Sequence, residues 1–372
     1  MLTDDQKYWV GFNLVKGIGA VRLQKLLEYF GDLETAWNAA PEILLAAGLS
    51  QRIVSSFVQL RNDVDLTDVL QDIQAQGIRV LTRNDEDYPA RLKALDTAPP
   101  VLYLRGELIP EDEWAVAIVG TRRITAYGRQ VTESIVRTLV RNGVTIISGL
   151  ARGVDGIAHK TALDAGGRTI AVLGSGVDRI YPPEHRGLAE QIAQNGAILS
   201  DYAVGTHPDA RNFPPRNRII AGLSMATVVV EAGRKSGALI TAEFAAEQGR
   251  EVFAVPGNVL APQSKGTNWL IQQGAHPLLD PEEILQTLDL TMISAHRQAR
   301  TVLPANATEA QLFAVLDHNP VHVDEVRART NLPIEQVTAA LAMMELKGMV
   351  RQVSGMRYYA VREVGSDYHT DK

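Results

Sequence analysis

Residues 213–247, FPPRNRIIAGLSMATVVVEAGRKSGALITAEFAAE, set two cationic clusters and a glycine turn around one apolar run. Arg216, Asn217 and Arg218 precede the run, and Arg234, Lys235, Ser236 and Gly237 follow it. Residues 225–230 are short, apolar and rich in β-branched side chains, which predicts a strand covered on both faces, and residues 238–248 predict a helix. The second cluster therefore sits where a strand ends and a helix begins. A helix start presents free N–H groups and a partial positive charge, and glycine lets a ligand approach the backbone closely, so the chemistry on offer is anion binding. Two such clusters flanking one strand suit a ligand with more than one phosphate.

The elements that must position these residues begin at Trp114, where short apolar runs alternate with amphipathic helices. That spacing predicts β-α-β units and an α/β fold with a doubly wound, mostly parallel sheet. The predicted strands are 115–119, 144–147, 169–173, 197–199, 225–230 and 252–255, and each runs into small or polar residues: Gly120-Thr121-Arg122-Arg123, Ser148-Gly149, Gly174-Ser175-Gly176, Ser200-Asp201, Glu231-Ala232-Gly233 and Pro256-Gly257-Asn258. In an open parallel sheet the ligand crevice lies outside the carboxyl ends of the strands. Arg122, Arg123, Arg152, Arg216, Arg218 and Lys235 are thereby expected near one site.

Composition bounds the function. The chain has 372 residues, 45% hydrophobic and 22% charged, enough for two or three folded domains. It has no cysteine, which excludes disulfides, thiol catalysis and thiolate metal sites, and its eight histidines form no H-E-x-x-H pattern, so no metal is expected. No apolar run reaches membrane-spanning length and residues 1–10 lack a secretion pattern, so a cytoplasmic protein is expected. The formal charge of -6 argues against indiscriminate coating of nucleic acid and asks for a local basic pocket instead. The first turn, GTRRITAYG, lacks the G-x-G-x-x-G pattern and no acidic residue ends the next strand, so a nicotinamide or flavin is not expected. Gly233-Arg234-Lys235-Ser236 lacks the leading glycine of a P-loop, which argues against nucleoside triphosphate hydrolysis.

The two ends read differently. Residues 9–37 are helical in pattern around Val15-Lys16-Gly17-Ile18-Gly19-Ala20-Val21 and resemble a helix-hairpin-helix, whose glycines let backbone N–H groups meet a DNA phosphate; the alternative is a helical module that only packs. Residues 291–307 are polar and aperiodic, a linker. Helices at 309–316, 323–330 and 333–347, then a hairpin in 350–360 turning at Ser354-Gly355, describe a winged helix. Its third helix carries Glu335, Glu345 and Lys347, and residues 308–362 hold six Lys or Arg against six Asp or Glu, so packing or protein contact competes with DNA reading. The expected organisation is a helical module over 1–80, the sheet domain over 81–290, the linker, the winged helix over 308–362 and a frayed tail over 363–372.

Five loops taken together are more specific than any one: IVGTR at 118–122, SGLARGVDGIAH at 148–159, FPPRNRIIAGLS at 213–224, SGALITA at 236–242 and VPGN at 255–258. They resemble the DNA-processing protein DprA (Smf) family of bacteria. The resemblance implies a sterile-alpha-motif-like front module, an extended Rossmann-like domain and a winged-helix tail. It also implies a dimeric, non-enzymatic binder of single-stranded DNA that protects incoming strands in natural transformation and loads the RecA recombinase onto them, with no cofactor. A single strand has flexible phosphates and exposed base faces, so its binder needs spaced cations, N–H donors and some apolar surface. Arg122, Arg216, Arg218 and Lys235 can supply charge. Gly120, Thr121, Ser148, Gly149, Ser236 and Gly237 can supply close donors. Phe213, Asn217 and Asn258 are candidates for base contact, with packing under the loop the alternative for Phe213. Asp155 reads as a cap, His159 as a structural histidine, and Glu231 as the residue that orients the basic loop.

Two other readings belong to different classes. Thr241 and Glu243 at the helix start resemble the nucleotide phosphoribohydrolases related to lysine-decarboxylase-like proteins, but Glu231-Ala232-Gly233 stands where that group has Pro-Gly-Gly, and Arg234-Lys235 crowds the loop with charge. A winged-helix transcription regulator would prefer one duplex sequence over single strands.

Overall fold

A computed structural model describes residues 5–290, 306–316, 320–346, 350–353 and 356–360. The chain divides into two compact units, residues 1–291 and 292–372. The first opens with six helices: α1 (Gln6–Leu14), α2 (Ala20–Phe30), α3 (Leu33–Asn38), α4 (Pro41–Ala46), α5 (Gln51–Asp63) and α6 (Leu66–Ala75). The turn between α1 and α2 depends on Gly17, whose φ of 101° lies in the region that side chains disfavour. Phe12, Trp37 and Phe57 lock the helices together, with ring centroids 5.0–5.3 Å apart. Gly11 lets α1 close on α3, since a Cβ there would stand 2.6 Å from the Trp37 ring.

Nine strands follow in one sheet: β1 (Arg79–Thr82), β2 (Val101–Gly106), β3 (Ala115–Val119), β4 (Thr145–Ser148), β5 (Thr169–Val172), β6 (Ala197–Ser200), β7 (Ala226–Val229), β8 (Glu251–Ala254) and β9 (His276–Pro277). Their order is β1-β2-β6-β5-β4-β3-β7-β8-β9. From β6 to β9 every pairing is parallel, and β1 and β2 are antiparallel additions at one edge. The six expected strands are all present, each within two residues of its expected bounds. α7 (Ala90–Lys93) lies between β1 and β2, and the crossovers carry α8 (Ala126–Arg141), α9 (Val154–Asp164), α10 (Arg186–Asn195), α11 (Phe213–Leu223) and α12 (Gly237–Glu247), with α13 (Lys265–Gln272) ahead of β9 and α14 (Glu282–Thr287) after it.

Side chains of successive strand residues part to opposite faces, as the two-residue repeat requires. Tyr103, Ala171 and Ile198 pack on one face with α10 and the six leading helices. Leu102, Leu104, Ile170, Val172, Ala197 and Leu199 pack on the other with α11 and α12. The front helices thus share one core with the sheet, and Asn13 of α1 accepts a hydrogen bond from the Tyr103 hydroxyl at 3.0 Å. The chain steps from β3 outward to β6, then returns to lay β7 against the other side of β3. That reversal is the topological switch point, where an open α/β sheet leaves a crevice.

The second unit holds helices Ala307–Val315, Val323–Thr330 and Ile334–Leu346 and a three-stranded sheet of β10 (Val321–His322), β11 (Val350–Val353) and β12 (Arg357–Ala360) in the order β10-β12-β11. Leu312, Val326, Val337, Leu341 and Tyr358 form its core. This is the winged helix expected from the sequence. The linker, most of which spans residues 291–305, the hairpin turn at 354–355 and the tail lie outside the described residues. Among the described residues no helix is long and apolar enough to cross a membrane.

Candidate nucleic-acid interface

At the switch point β3 gives way to Gly120 and β7 to Val230 and Glu231. A Cβ on Gly120 would lie 2.5 Å from the Val154 side chain, so only glycine lets the chain turn here. The Thr121 N–H then donates to the Glu231 carbonyl at 2.7 Å, and the Val154 N–H to the Thr121 carbonyl at 3.2 Å. Two strand ends and the start of α9 are stitched together by backbone alone. The Glu231 side chain, 4% exposed, reaches the other way: its carboxylate accepts from the Thr125 N–H at 3.0 Å and from the Thr125 hydroxyl. Thr125 in turn caps α8 by accepting from the Gly128 N–H at 3.1 Å. Gly128 has no side chain because the Glu231 carboxylate stands where one would be, 2.4 Å from its ideal Cβ. Glu231 is therefore a clamp on the loop that carries Arg122 and Arg123, with its oxygens turned to that loop.

Across the crevice the Arg234-Lys235 turn precedes α12. Ser236 caps α12, accepting from the Ala238 N–H at 3.3 Å, and Asn217 holds the turn from below by donating to the Gly237 carbonyl at 3.3 Å. Arg234 lies over the Trp269 ring at 5.1 Å. Lys235 is exposed, as is Arg122 opposite it, and among the described residues neither makes an ion pair. Between them runs a groove of about 680 Å³ that Gly120, Thr121, Arg122, Lys235, Ser236 and Gly237 all line.

The floor is built from a buried ion network. Arg216 on α11 is 5% exposed; its guanidinium donates to the Gly149 carbonyl at 3.1 Å, to the Val172 carbonyl and to Asn217 Oδ1 at 3.2 Å. Burial pulls its pKa down to about 10, against the opposing pull of Asp155 and Asp201. Asp155, at the start of α9, accepts from the Gly149 and Ala151 N–H groups, both at 3.2 Å; burial raises its pKa while Arg216 and those N–H groups oppose the rise. A Cβ on Gly149 would strike both Arg216 and Asp155, at 2.6 and 2.9 Å. Beside this floor stand two aromatic rings, Tyr181 and Phe213, with centroids 5.8 Å apart. The Arg122 guanidinium lies 5.5 Å from the Phe213 centroid.

The expected site residues thus fall into three sets. Gly120, Thr121, Arg122, Phe213, Arg216, Asn217, Lys235, Ser236 and Gly237 meet at the groove. Within that set Arg216 differs from its expected role as a phosphate donor, because it is committed to carbonyls of the protein. Ser148 and Gly149 lie beneath, the Ser148 hydroxyl donating to the Ile118 carbonyl at 2.6 Å and the Gly149 N–H to Asp155, so these expected donors are committed too. Arg123, Arg152, Arg218 and Asn258 do not line the groove. Arg152 pairs with Glu184 at 2.5 Å, and Arg218 pairs with Asp201 at 2.6 Å while donating to the Thr97 carbonyl at 2.7 Å. Asn258 accepts from the Leu260 N–H at 2.9 Å and shapes its own turn. Tyr181 escaped the sequence reading; the signal was an aromatic in the long loop after β5, ahead of two prolines. His159 is fully buried, its Nδ1 2.6 Å from the Thr169 hydroxyl, as a structural histidine would be.

Thr241 lines this groove, whereas Glu243 lines a separate recess of about 870 Å³ between α12 and α13. That recess also holds Glu251 among its walls, so its charge is mixed. Among the described residues no group of His, Asp or Glu is placed to hold a metal ion.

Residues 79–289 match the model of the DNA recombination-mediator protein A family, and residues 296–356 match a DprA winged helix domain. The chain is 38% identical to Protein Smf of Synechocystis over 96% of its own length and 99% of that protein's. The X-ray structure of DNA processing protein A from Streptococcus pneumoniae superposes with a TM-score of 0.66 at 33% identity, covering 77% of this chain and 98% of that one. A structure of DNA processing protein A from Helicobacter pylori, reported for its single-stranded DNA binding mode, superposes with a TM-score of 0.52 at 35% identity over 57% of this chain and 95% of that one.

Proposed function

Because the chain belongs to the DNA recombination-mediator protein A family, we propose that it binds single-stranded DNA in the groove at the β3–β7 switch point and does no chemistry on it. The observation that carries this reading is the pairing of two exposed, unneutralised cations, Arg122 and Lys235, across a groove with an aromatic wall. A flexible strand can lay successive phosphates against the two cations while a base turns in toward Tyr181 and Phe213; stacking of that kind contributes about 1–3 kcal/mol per base and tolerates any sequence. The Gly237 N–H and the hydroxyls of Thr121 and Ser236 supply shorter-range contacts, while Asn217, whose amide is engaged by Gly237 and Arg216, holds the turn that presents them. A duplex offers none of its base faces to such a wall.

The relatives' names support DNA processing, and the resemblance in the loops carries the rest of the reading: action in natural transformation, delivery of the coated strand to the RecA recombinase, pairing of two copies and a cytoplasmic location. Val259, Leu260 and Leu279, 74–83% exposed, are apolar surface on which protein contacts of this kind could be made. Non-enzymatic action is supported by the separation of Thr241 from Glu243 and by the engagement of Glu231 with Thr125.

The test is a competition between single and double strands of mixed sequence, read by fluorescence anisotropy. Single strands are expected to win, with little dependence on sequence. Preference for one duplex sequence would shift the function to the winged helix. Release of free base from nucleoside monophosphates would end the non-enzymatic reading.

A further inference from the structure

Arg122 has a second neighbourhood. On its far side lies another groove, of about 700 Å³, lined by Arg123, Arg129 of α8 and Lys160 of α9 together with Gly153 and Gly156. Four cations line it against one carboxylate, Asp164. Arg123, Arg129 and Lys160 are exposed, and among the described residues no ion pair engages any of them. In a protein with formal charge -6, a recess with this excess of free cations is a local inversion of sign. Its glycines let the surrounding segments close on one another: a Cβ on Gly153 would lie 2.2 Å from the Thr121 carbonyl, and one on Gly156 2.7 Å from the His185 ring.

We propose that this second groove is a phosphate track that continues the first, so that a single strand leaving the aromatic wall passes over Arg122 and lays further phosphates against Arg123, Arg129 and Lys160. The inference rests on the binding reading above. Two features favour a strand over a free anion. The cations are spread along the edges of two helices and a loop instead of converging on one point, and the track joins the first groove through a shared side chain. No Phe, Tyr or Trp lines it, so it holds backbone and leaves bases outward. Occupied length therefore sets how much of the site is used.

The experiment compares oligodeoxythymidylates of about 5 and about 15 nucleotides, a span within the range of single-strand site sizes, on the parent and on Arg129→Ala/Lys160→Ala. Arg137→Glu, on the exposed side of α8 away from either groove, makes the same change in net charge and serves as control. The double variant is expected to bind the longer strand roughly tenfold more weakly at physiological salt, with a salt slope shallower by about 1.4, since each single-strand phosphate contact contributes about 0.7. The short strand should bind it as it binds the parent, and Arg137→Glu should leave the length dependence intact. Equal loss on both lengths, equal loss in the control, or no loss on the longer strand would overturn the track. If neither length binds the parent, the reading of the first groove has failed instead.

Discussion

Arg122 and Lys235 keep their charge available because among the described residues no carboxylate pairs with either, and that separates them from Arg152 and Arg218, which are paired to Glu184 and Asp201. Removing either free cation should act on a single strand in the same way. Arg122→Ala or Lys235→Ala is expected to weaken binding with little sequence dependence and to make the salt slope shallower by about 0.7, measured by titration at several salt concentrations. Arg152→Ala should leave the slope unchanged, because its guanidinium already has a partner. The sequence places these arginines in the segments that flank the strands and stops there. Whether a guanidinium points to solvent, to a carboxylate or, like Arg216, to carbonyls at the ends of other strands depends on residues distant in the chain, Gly149 and Val172 among them. Charge is legible in one dimension; its neutralisation is not.

At the scale of elements, the groove is held open by one carboxylate acting on a loop. Glu231→Gln removes a negative charge close to a proposed polyanion site, so on electrostatics alone affinity should rise. The clamp on Thr125 argues the reverse: a weaker, neutral acceptor loosens the loop bearing Arg122, and single-strand affinity is expected to fall about fivefold, close to the 1 kcal/mol that separates charged from neutral hydrogen bonds. Binding at fixed salt decides the sign. The packing of α9 on the sheet carries a different liability. The Thr169 hydroxyl donates to the Ile146 carbonyl at 2.8 Å, so it accepts from His159 Nδ1–H, and Nε2 is left buried without a partner. Burial, helped by His185 and Arg216, lowers the His159 pKa from 6.5 to about 3. The unfolded chain binds a proton below pH 6.5 that the folded chain refuses, so stability present at neutral pH is lost as pH falls through this window. Urea unfolding at pH 7 and pH 5 should show His159→Leu losing roughly 2 kcal/mol less than the parent over that interval. A parallel pH dependence in the two proteins would contradict it. The strands themselves were plain in the sequence, since five-residue apolar runs such as 115–119 have few other structures open to them. β9 was not, because two residues carry no period.

For the molecule as a whole, the front helices and the sheet share a core, so a fragment cut at Trp114 would lose Tyr103 together with β1 and β2 and bare the face that holds Ala171 and Ile198. Residues 1–291, by contrast, carry their own core and the complete groove. That fragment is expected to unfold cooperatively and to keep single-strand affinity within about threefold of the full chain, as compact units do when separated from a neighbour; a loss of tenfold or more would place an essential contact in the winged helix. The sequence showed three modules by texture, yet the contact of α1 with β2 joins residues 90 positions apart and leaves no local trace. One last feature bears on self-association. Beyond β8 the sheet ends in His276–Pro277, two residues long, and proline has no amide hydrogen to offer a newcomer. A second molecule approaching that flank finds no backbone template to zip onto. Any docking there has to be a matter of side-chain shape, which single substitutions can abolish without disturbing the fold, and the flank is correspondingly guarded against runaway fibre growth.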